Sequence, residues 1–183
     1  RFDALYNKLG YVTQKAVLFS GTVEDNVFFG QSAAEKTDAS LQAALSLSQA
    51  AEFVDKYPEK AAHPIAQLGR NVSGGQKQRL SIARALARKP EILIFDDSFS
   101  ALDYKTDAVL REGLAKQLPG TTKIIVAQRI STIRNADQIL VLDRGEIAGL
   151  GTHDELMVSC PVYREIAMSQ LSEEELKKGG VSK

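Results

Sequence analysis

Short aliphatic runs alternate with longer segments of helical periodicity along most of this 183-residue chain. Two of the runs, Glu91–Phe95 and Lys123–Ala127, are almost continuously apolar and do not alternate with polar residues. Runs of this kind are typical of buried strands in a parallel sheet that helices cover on both faces. The pattern therefore predicts an α/β fold with a parallel-sheet core.

The composition excludes several classes of protein. Lys and Arg together number 23, as do Asp and Glu, so the formal net charge is zero. This balance argues against a nucleic-acid partner or a polybasic membrane anchor, and the 44% of hydrophobic residues argues against wholesale disorder. No apolar run exceeds four residues, whereas a span of the bilayer needs roughly 20. The lone Cys160 cannot form an internal disulfide, which fits a reducing compartment.

The remaining elements follow from the same spacing. Helices are expected at Ala33–Gln49, Gly75–Arg88, Tyr104–Gln117, Ser131–Arg134, His153–Met157 and Val162–Leu171. Ile139–Leu142 and Glu146–Ala148 flank Asp143-Arg-Gly145, a turn that predicts a hairpin. We expect one domain over residues 1–171 and a polar tail over residues 172–183.

The most specific stretch of the chain is Asn71-Val-Ser-Gly-Gly-Gln-Lys-Gln-Arg-Leu-Ser-Ile-Ala-Arg-Ala-Leu86. Ser73 stands at an N-cap position, and two glycines leave the start of the helix open, so its N–H groups and dipole can hold a phosphate. Ser-Gly-Gly alone favours a plain helix start. The full string resembles the signature motif of ATP-binding cassette (ABC) ATPases, which implies that Ser73, Gly74, Gly75 and Gln76 bind ATP.

A carboxylate pair follows the next aliphatic run, in Ile92-Leu-Ile-Phe-Asp-Asp97. The carboxyl end of a buried strand is where α/β sheets bind ligands. An ordinary aspartate in a turn fits this position equally well when the position is taken alone. Downstream of the signature string, however, Asp96 resembles the Walker B aspartate, which helps to hold Mg²⁺ on the nucleotide in P-loop NTPases.

Two further segments resemble motifs of the same family. Gly10–Asn26 is similar to the Q-loop segment, which implies that Gln14 reaches the Mg²⁺ ion and the attacking water. A lone Gln in this place is usually part of a polar turn, so its assignment depends on the surrounding string. Ser100-Ala-Leu-Asp103 matches the D-loop, which contacts the partner subunit and implies a nucleotide-site role for Asp103. The same Ser-x-x-Asp spacing is a capping-box pattern typical of a helix start, and both interpretations can hold together.

The resemblance extends from about Leu5 to Leu156 and is closest to exporter-type members, judged by Phe19–Thr22 and Val126–Thr132. It implies a P-loop NTPase-like ABC domain with a helical signature subdomain at about residues 26–88. In that family two nucleotide-binding domains pair head to tail, and each ATP with its Mg²⁺ lies between one subunit's Walker motifs and the other's signature. A transmembrane domain upstream in the parent chain would place this domain at the cytoplasmic face of the membrane.

Three features depart from the family pattern. No G-x-x-x-x-G-K-[ST] loop, the Walker A motif, occurs in the sequence. Because the chain starts at Arg1, we expect an N-terminal truncation. Without the Walker A loop, the chain by itself is expected to be inactive. Asp97 stands where the family usually has a catalytic glutamate, and its carboxylate reaches less far toward the water. Gln128 stands at the switch histidine position and cannot become cationic. His153 is expected at a helix start and His63 on the surface.

These departures suggest a degenerate half-site that binds ATP but hydrolyses it slowly. The intact signature would then complete a competent site on a different partner subunit, as in heterodimeric exporters.

Two alternatives remain open. One is a noncatalytic nucleotide-binding module for dimerisation or regulation. The other is a soluble ABC-like ATPase of DNA repair or chromosome segregation, against which the neutral charge and the lack of heptad runs count.

Overall fold

The computed structural model describes residues 5–32 and 35–170, and the predicted polar tail over residues 172–183 lies outside them. The chain divides into two compact units at Val126, which we describe separately. No helix within the described ranges is long and apolar enough to cross a membrane.

The first unit is built on a parallel sheet, as predicted. Its strands are β1 (Leu9–Val12), β2 (Gly21–Thr22), β3 (Pro64–Ile65), β4 (Ile92–Asp96) and β5 (Thr122–Val126). Its helices include α1 (Val23–Val27), α2 (Asp38–Leu47), α3 (Ala51–Val54), α4 (Gly74–Ala87) and α5 (Tyr104–Gln117). The parallel sheet has the order β1-β4-β5, and β2 pairs antiparallel with β3.

One face of the parallel sheet lies in the core, with Val12, Leu93 and Phe95 fully buried. These side chains join a cluster with residues of α4 and α5, including Leu80, Ile82, Ala83, Leu110 and Leu114. Side chains that alternate with them point to the opposite face, where Tyr11, Ile124 and Val126 are 50–54% exposed. The expectation that Lys123–Ala127 is a strand buried on both faces is therefore wrong, because alternate side chains of β5 are exposed.

Caps set the helix boundaries. α4 begins after Ser73 and α5 spans Tyr104–Gln117 as predicted. α2 begins at Asp38, later than the expected start at Ala33, because Thr37 forms a capping box with Ser40; residues 33 and 34 lie outside the described part. A side chain that caps the N–H groups of the first turn fixes where a helix starts more firmly than the apolar spacing does.

The second unit consists of α6 (Ile130–Ile133), β6 (Ile139–Asp143), β7 (Glu146–Gly151), α7 (His153–Ser159) and α8 (Pro161–Gln170). β6 and β7 form the predicted antiparallel hairpin. Arg144 and Gly145 both have positive φ, at 50° and 85°, as a two-residue type I′ turn requires. The hairpin and the helices enclose a second core, formed by Ile130, Ile139, Val141, Leu156, Cys160, Tyr163 and Ala167.

His153 is the first residue of α7, as expected, and is buried in this second core. Its Nδ1 lies 2.8 Å from the Tyr163 hydroxyl. Burial, reinforced by the positive charge of Arg134, lowers the pKa of His153. His63 of the first unit is less exposed than expected, since its ring stacks on Tyr57 and its Nδ1 lies 3.0 Å from Glu59 Oε2.

The second unit is expected to lose stability in mild acid because of His153. A histidine whose pKa is lowered by folding contributes stability that is fully present above its unfolded pKa of about 6.5 and is lost as the pH falls below that value. Thermal unfolding between pH 8 and pH 5 should show this loss, and His153→Gln should reduce it. An equally steep pH dependence in His153→Gln and in the unchanged chain would contradict the assignment.

Candidate functional site

The carboxyl end of β4 carries the predicted carboxylate pair. Asp96 is the last residue of β4 and Asp97 follows it. The Tyr11 hydroxyl of β1 donates a hydrogen bond of 2.9 Å to Asp96 Oδ2. This bond to the carboxylate raises the pKa of Tyr11. The two side chains meet because β1 and β4 are parallel neighbours, whose carboxyl ends lie at the same edge of the sheet.

Asp97 has a left-handed backbone, with φ of 45°. Its N–H donates to the carbonyl of Val126, the last residue of β5, at 2.9 Å. Gln14 Nε2 donates to Asp97 Oδ2 at 3.1 Å, so the structure brings together the two residues that the sequence placed 83 positions apart. Non-glycine residues with positive φ are uncommon and cluster at functional sites, with Asp and Asn more tolerant than most.

Two buried polar side chains anchor the segment that leads to Gln14. Ser98 Oγ donates to the Val12 carbonyl at 2.8 Å, and Gln78 Nε2 of α4 donates to the Thr13 carbonyl at 3.2 Å. Ser98 is fully buried and Gln78 is 1% exposed. Both bonds satisfy backbone carbonyls after the end of β1 and tie them to the segment after β4 and to α4. The sequence patterns did not indicate these two residues.

The carboxylates fit a divalent cation that arrives with a nucleotide. Across residues 5–32 and 35–170, no group of three or more His, Cys, Asp or Glu side chains is placed to hold a metal ion by itself. Mg²⁺ is usually held by one or two carboxylates together with substrate phosphates and waters, and does not need an all-protein cage. Asp96 at the end of β4, with Asp97 next in the chain and Gln14 bonded to Asp97, supplies carboxylate and amide oxygens of that kind.

The start of α4 is open, as the Ser-Gly-Gly string predicts. Ser73 caps the helix through a reciprocal pair, in which its Oγ accepts from the Gln76 N–H at 3.3 Å and Gln76 Oε1 accepts from the Ser73 N–H at 2.8 Å. A Cβ added at Gly74 would meet no atom within 4 Å, and one at Gly75 would lie 3.5 Å from the Ala101 carbonyl oxygen. A phosphate can therefore approach the first turn of this 14-residue helix.

The other end of α4 holds the segment that follows Gln14. The Arg84 guanidinium donates to the Asn26 carbonyl at 2.7 Å, to Asn26 Oδ1 at 2.9 Å and to the Val17 carbonyl at 2.9 Å. It also lies over the stacked rings of Phe19 and Phe29. Partial burial lowers the pKa of Arg84, but an arginine pKa remains far above neutrality, so this group is a half-buried cation that donates to three acceptors. Sequence spacing placed Arg84 away from the apolar face and missed this role.

The segment Ser100–Asp103 differs from the capping-box interpretation. The N-cap of α5 is Asp103, whose side chain accepts from the Thr106 N–H at 2.9 Å. The hydrogen bonds from the Thr106 backbone and hydroxyl lower the pKa of Asp103. Ser100 Oγ donates instead to the Asp97 carbonyl at 2.7 Å. The helix thus begins three residues later than a Ser100 cap would place it, and Ser100 supports the turn at Asp97.

Gln128 belongs to the second unit. Its backbone carbonyl accepts a hydrogen bond of 2.8 Å from Gln170 Nε2. Its side chain is exposed and lies two residues before α6.

Known proteins resemble this chain closely. The family model of the ABC transporter matches residues 2–100. The MG014 homolog of Mycoplasma pneumoniae, by name an ABC transporter ATP-binding protein, is 42% identical over 176 residues, which cover 92% of this chain and 28% of that protein. YfiB of Bacillus subtilis, an uncharacterized ABC transporter ATP-binding protein, is 43% identical over 172 residues, 94% of this chain and 29% of that protein.

Solved structures give the same result. The structure of a bacterial Atm1-family ABC exporter with ATP bound superposes with a TM-score of 0.89 at 35% identity, covering 94% of this chain and 30% of that one. The present chain thus spans less than a third of the length of the relatives it matches. The family match and the shared α/β fold agree with the motifs around Gln14, Ser73 and Asp96, and the chain belongs to the ABC transporter family, with the fold of its nucleotide-binding domain.

Proposed function

We propose that this chain binds ATP and Mg²⁺ as the nucleotide-binding domain of an ABC exporter. The observation that carries the proposal is the contact of 3.1 Å between Gln14 Nε2 and Asp97 Oδ2, beside Asp96 at the carboxyl end of β4. The likeness to an exporter of known structure supports the direction of transport. The domain would comprise residues 1–171, with a helical subdomain at about 26–88, at the cytoplasmic face of the membrane beside an upstream transmembrane domain.

Each of the predicted site residues has a chemical role in this proposal. Asp96 would hold Mg²⁺, which neutralises charge on the phosphates. Gln14 would orient the attacking water and contact the metal through its side-chain oxygen. Asp97 would act as the general base with a reach one methylene shorter than glutamate, and Gln128 would donate a hydrogen bond to the γ-phosphate. Such a half-site binds nucleotide but hydrolyses it slowly.

The open start of α4 would serve a different site. Ser73, Gly74, Gly75 and Gln76 would bind the ATP held by the Walker motifs of a second nucleotide-binding domain, in a head-to-tail dimer with a different subunit. The absence of any obstacle within 4 Å of a Cβ at Gly74 supports this, because a partner's phosphates need that approach. Asp103, exposed at the start of α5, would lie at the dimer interface.

A noncatalytic module that uses nucleotide only to dimerise is the second candidate. The hydrogen bond between Gln14 and Asp97 favours it, since an aspartate held by the glutamine amide is less available as a base. Turnover at this half-site separates the two candidates.

The Asp96→Asn variant tests the proposed metal role. In the full-length transporter, it should weaken Mg²⁺-dependent ATP binding at this half-site by at least about tenfold, since a carboxylate ligand is replaced by a neutral amide. Titration of ATP with and without Mg²⁺ measures the effect. Asp143→Asn, at the exposed end of β6, is the matched control and should bind normally. Equal Mg²⁺ dependence in Asp96→Asn and the unchanged protein would refute the assignment.

A further inference from the structure

The last residue of α8, Gln170, makes two hydrogen bonds to the segment that carries Gln128. Gln170 Nε2 donates to the Gln128 carbonyl at 2.8 Å, and Gln170 Oε1 accepts from the Ile130 N–H at 2.9 Å. One side-chain amide therefore holds the backbone on both sides of Arg129. The donor and the acceptor of the glutamine amide are both used, and both partners are main-chain groups.

The start of α6 depends on this contact. α6 has only four residues, and its N-cap, Arg129, makes no side-chain capping hydrogen bond. The first N–H groups of a helix have no partner within the helix, so an outside acceptor must satisfy them. Gln170 is that acceptor for Ile130. The Ile130 side chain is 3% exposed and belongs to the same buried cluster as Tyr163 and Ala167 of α8.

We propose that Gln170 is a positioning residue, which fixes the backbone from Gln128 to Ile130 and so sets the direction of the Gln128 side chain. The proposal rests on the proposed function of Gln128 as a hydrogen-bond donor to the γ-phosphate. Gln170 is itself exposed, whereas the second core is formed by other residues of α8. Its loss should therefore disturb the segment 128–130 without unfolding the second unit. A misplacement of a donor by about 1 Å is sufficient to slow a reaction substantially.

Hydrogen exchange in the 183-residue chain tests the contact itself. Gln170→Ala should speed exchange of the Ile130 amide about tenfold, because its acceptor is removed. Ser169→Ala is the matched control, since Ser169 Oγ donates within α8, to the Ile166 carbonyl, and exchange at Ile130 should not change. Unchanged exchange in Gln170→Ala would overturn the proposal.

Gln170→Glu adds a pH-dependent signature that a general loss of stability would not give. At neutral pH the carboxylate can accept from the Ile130 N–H but has no proton for the Gln128 carbonyl. When protonated, the acid has one donor and one acceptor, as the amide has, so protection of Ile130 should return to that of the unchanged chain in acid after correction for the intrinsic exchange rate. Protection that never recovers in acid would count against a two-bond contact.

ATP hydrolysis by the full-length transporter tests the consequence. In a transporter whose other site is disabled, Gln170→Ala should lower kcat about three- to tenfold with little change in KM, and should have no further effect in a Gln128→Ala background. Faster exchange at Ile130 with unchanged kcat, or an additive loss in the double variant, would overturn the positioning role. If the unchanged transporter does not hydrolyse ATP at this half-site, the proposed catalytic roles of Asp97 and Gln128 fail, while the exchange result still decides whether Gln170 holds the segment.

Discussion

Replacing Gly74 with Asp is expected to lower ATP turnover of the assembled transporter about 100-fold while leaving this chain folded. A Cβ at Gly74 meets no atom within 4 Å, so the new side chain has room. An acidic residue in the first turn of α4 also interacts favourably with the helix dipole, so stability should not fall. The carboxylate would instead repel the phosphates that the signature is proposed to bind.

The Gly74→Asp experiment has two matched controls. Gly120→Asp puts the same charge at another glycine whose Cβ would meet no atom within 4 Å, in the turn before β5, and should leave turnover unchanged. Gly74→Ala adds bulk without charge and should cost much less than Gly74→Asp. Turnover is measured with purified transporter, and folding by thermal denaturation. Normal turnover in Gly74→Asp would show that the start of α4 does not bind nucleotide.

Restoring the usual residues of the family at two positions should raise turnover at this half-site. The Asp97→Glu and Gln128→His pair is expected to increase the slow rate by about 10- to 100-fold, within the range that general-base catalysis contributes. Glutamate extends the carboxylate by one methylene toward the water, and histidine can take up a proton. Single-turnover hydrolysis in a transporter whose other site is disabled would measure the rate of this site alone.

The backbone conformation at Asp97 should make the Asp97→Glu substitution destabilising. Asp97 has φ of 45°, and aspartate tolerates left-handed backbone better than glutamate does. We therefore expect Asp97→Glu to lose about 1 kcal/mol of stability even as turnover rises. Asp97→Asn is the control, since it keeps the length and the backbone preference but removes the base, and it should lower the slow rate further. Equal rates in the double variant and the unchanged protein would refute the degenerate-site hypothesis.

The parts of the fold and site that follow from local pattern were predictable. α4 and α5 are amphipathic, and both begin after capping residues that the sequence displays. Asp96 and Asp97 follow an aliphatic strand, so their place at the carboxyl edge of the sheet was expected. Gln14 meets Asp97 because β1 and β4 are adjacent and parallel, although periodicity alone does not give strand order.

The anchoring side chains were not predictable, because their partners are distant in sequence. Gln78 and Ser98 bond to carbonyls 65 and 86 residues away, and Arg84 bonds to Asn26 at a separation of 58. Local periodicity reports which face of an element is apolar but not which polar group meets a remote carbonyl. Two of the wrong expectations have the same origin. The exposed face of β5 depends on what the sheet packs against, and the role of Ser100, which does not cap α5, depends on where the chain turns after Asp97.

Helix α4 connects two regions with different proposed roles: the nucleotide-binding start of the helix and the segment that follows Gln14. Ser73 caps one end of the helix. Arg84, eleven residues later, donates hydrogen bonds to the carbonyls of Val17 and Asn26. At a rise of 1.5 Å per residue, these two positions lie about 16 Å apart along a single rod. If the proposed nucleotide contact displaces the start of α4, the intact helix would carry the Arg84 end with it. The domain thus contains a continuous helical connection between the proposed phosphate-binding start of α4 and the chain segment that follows Gln14.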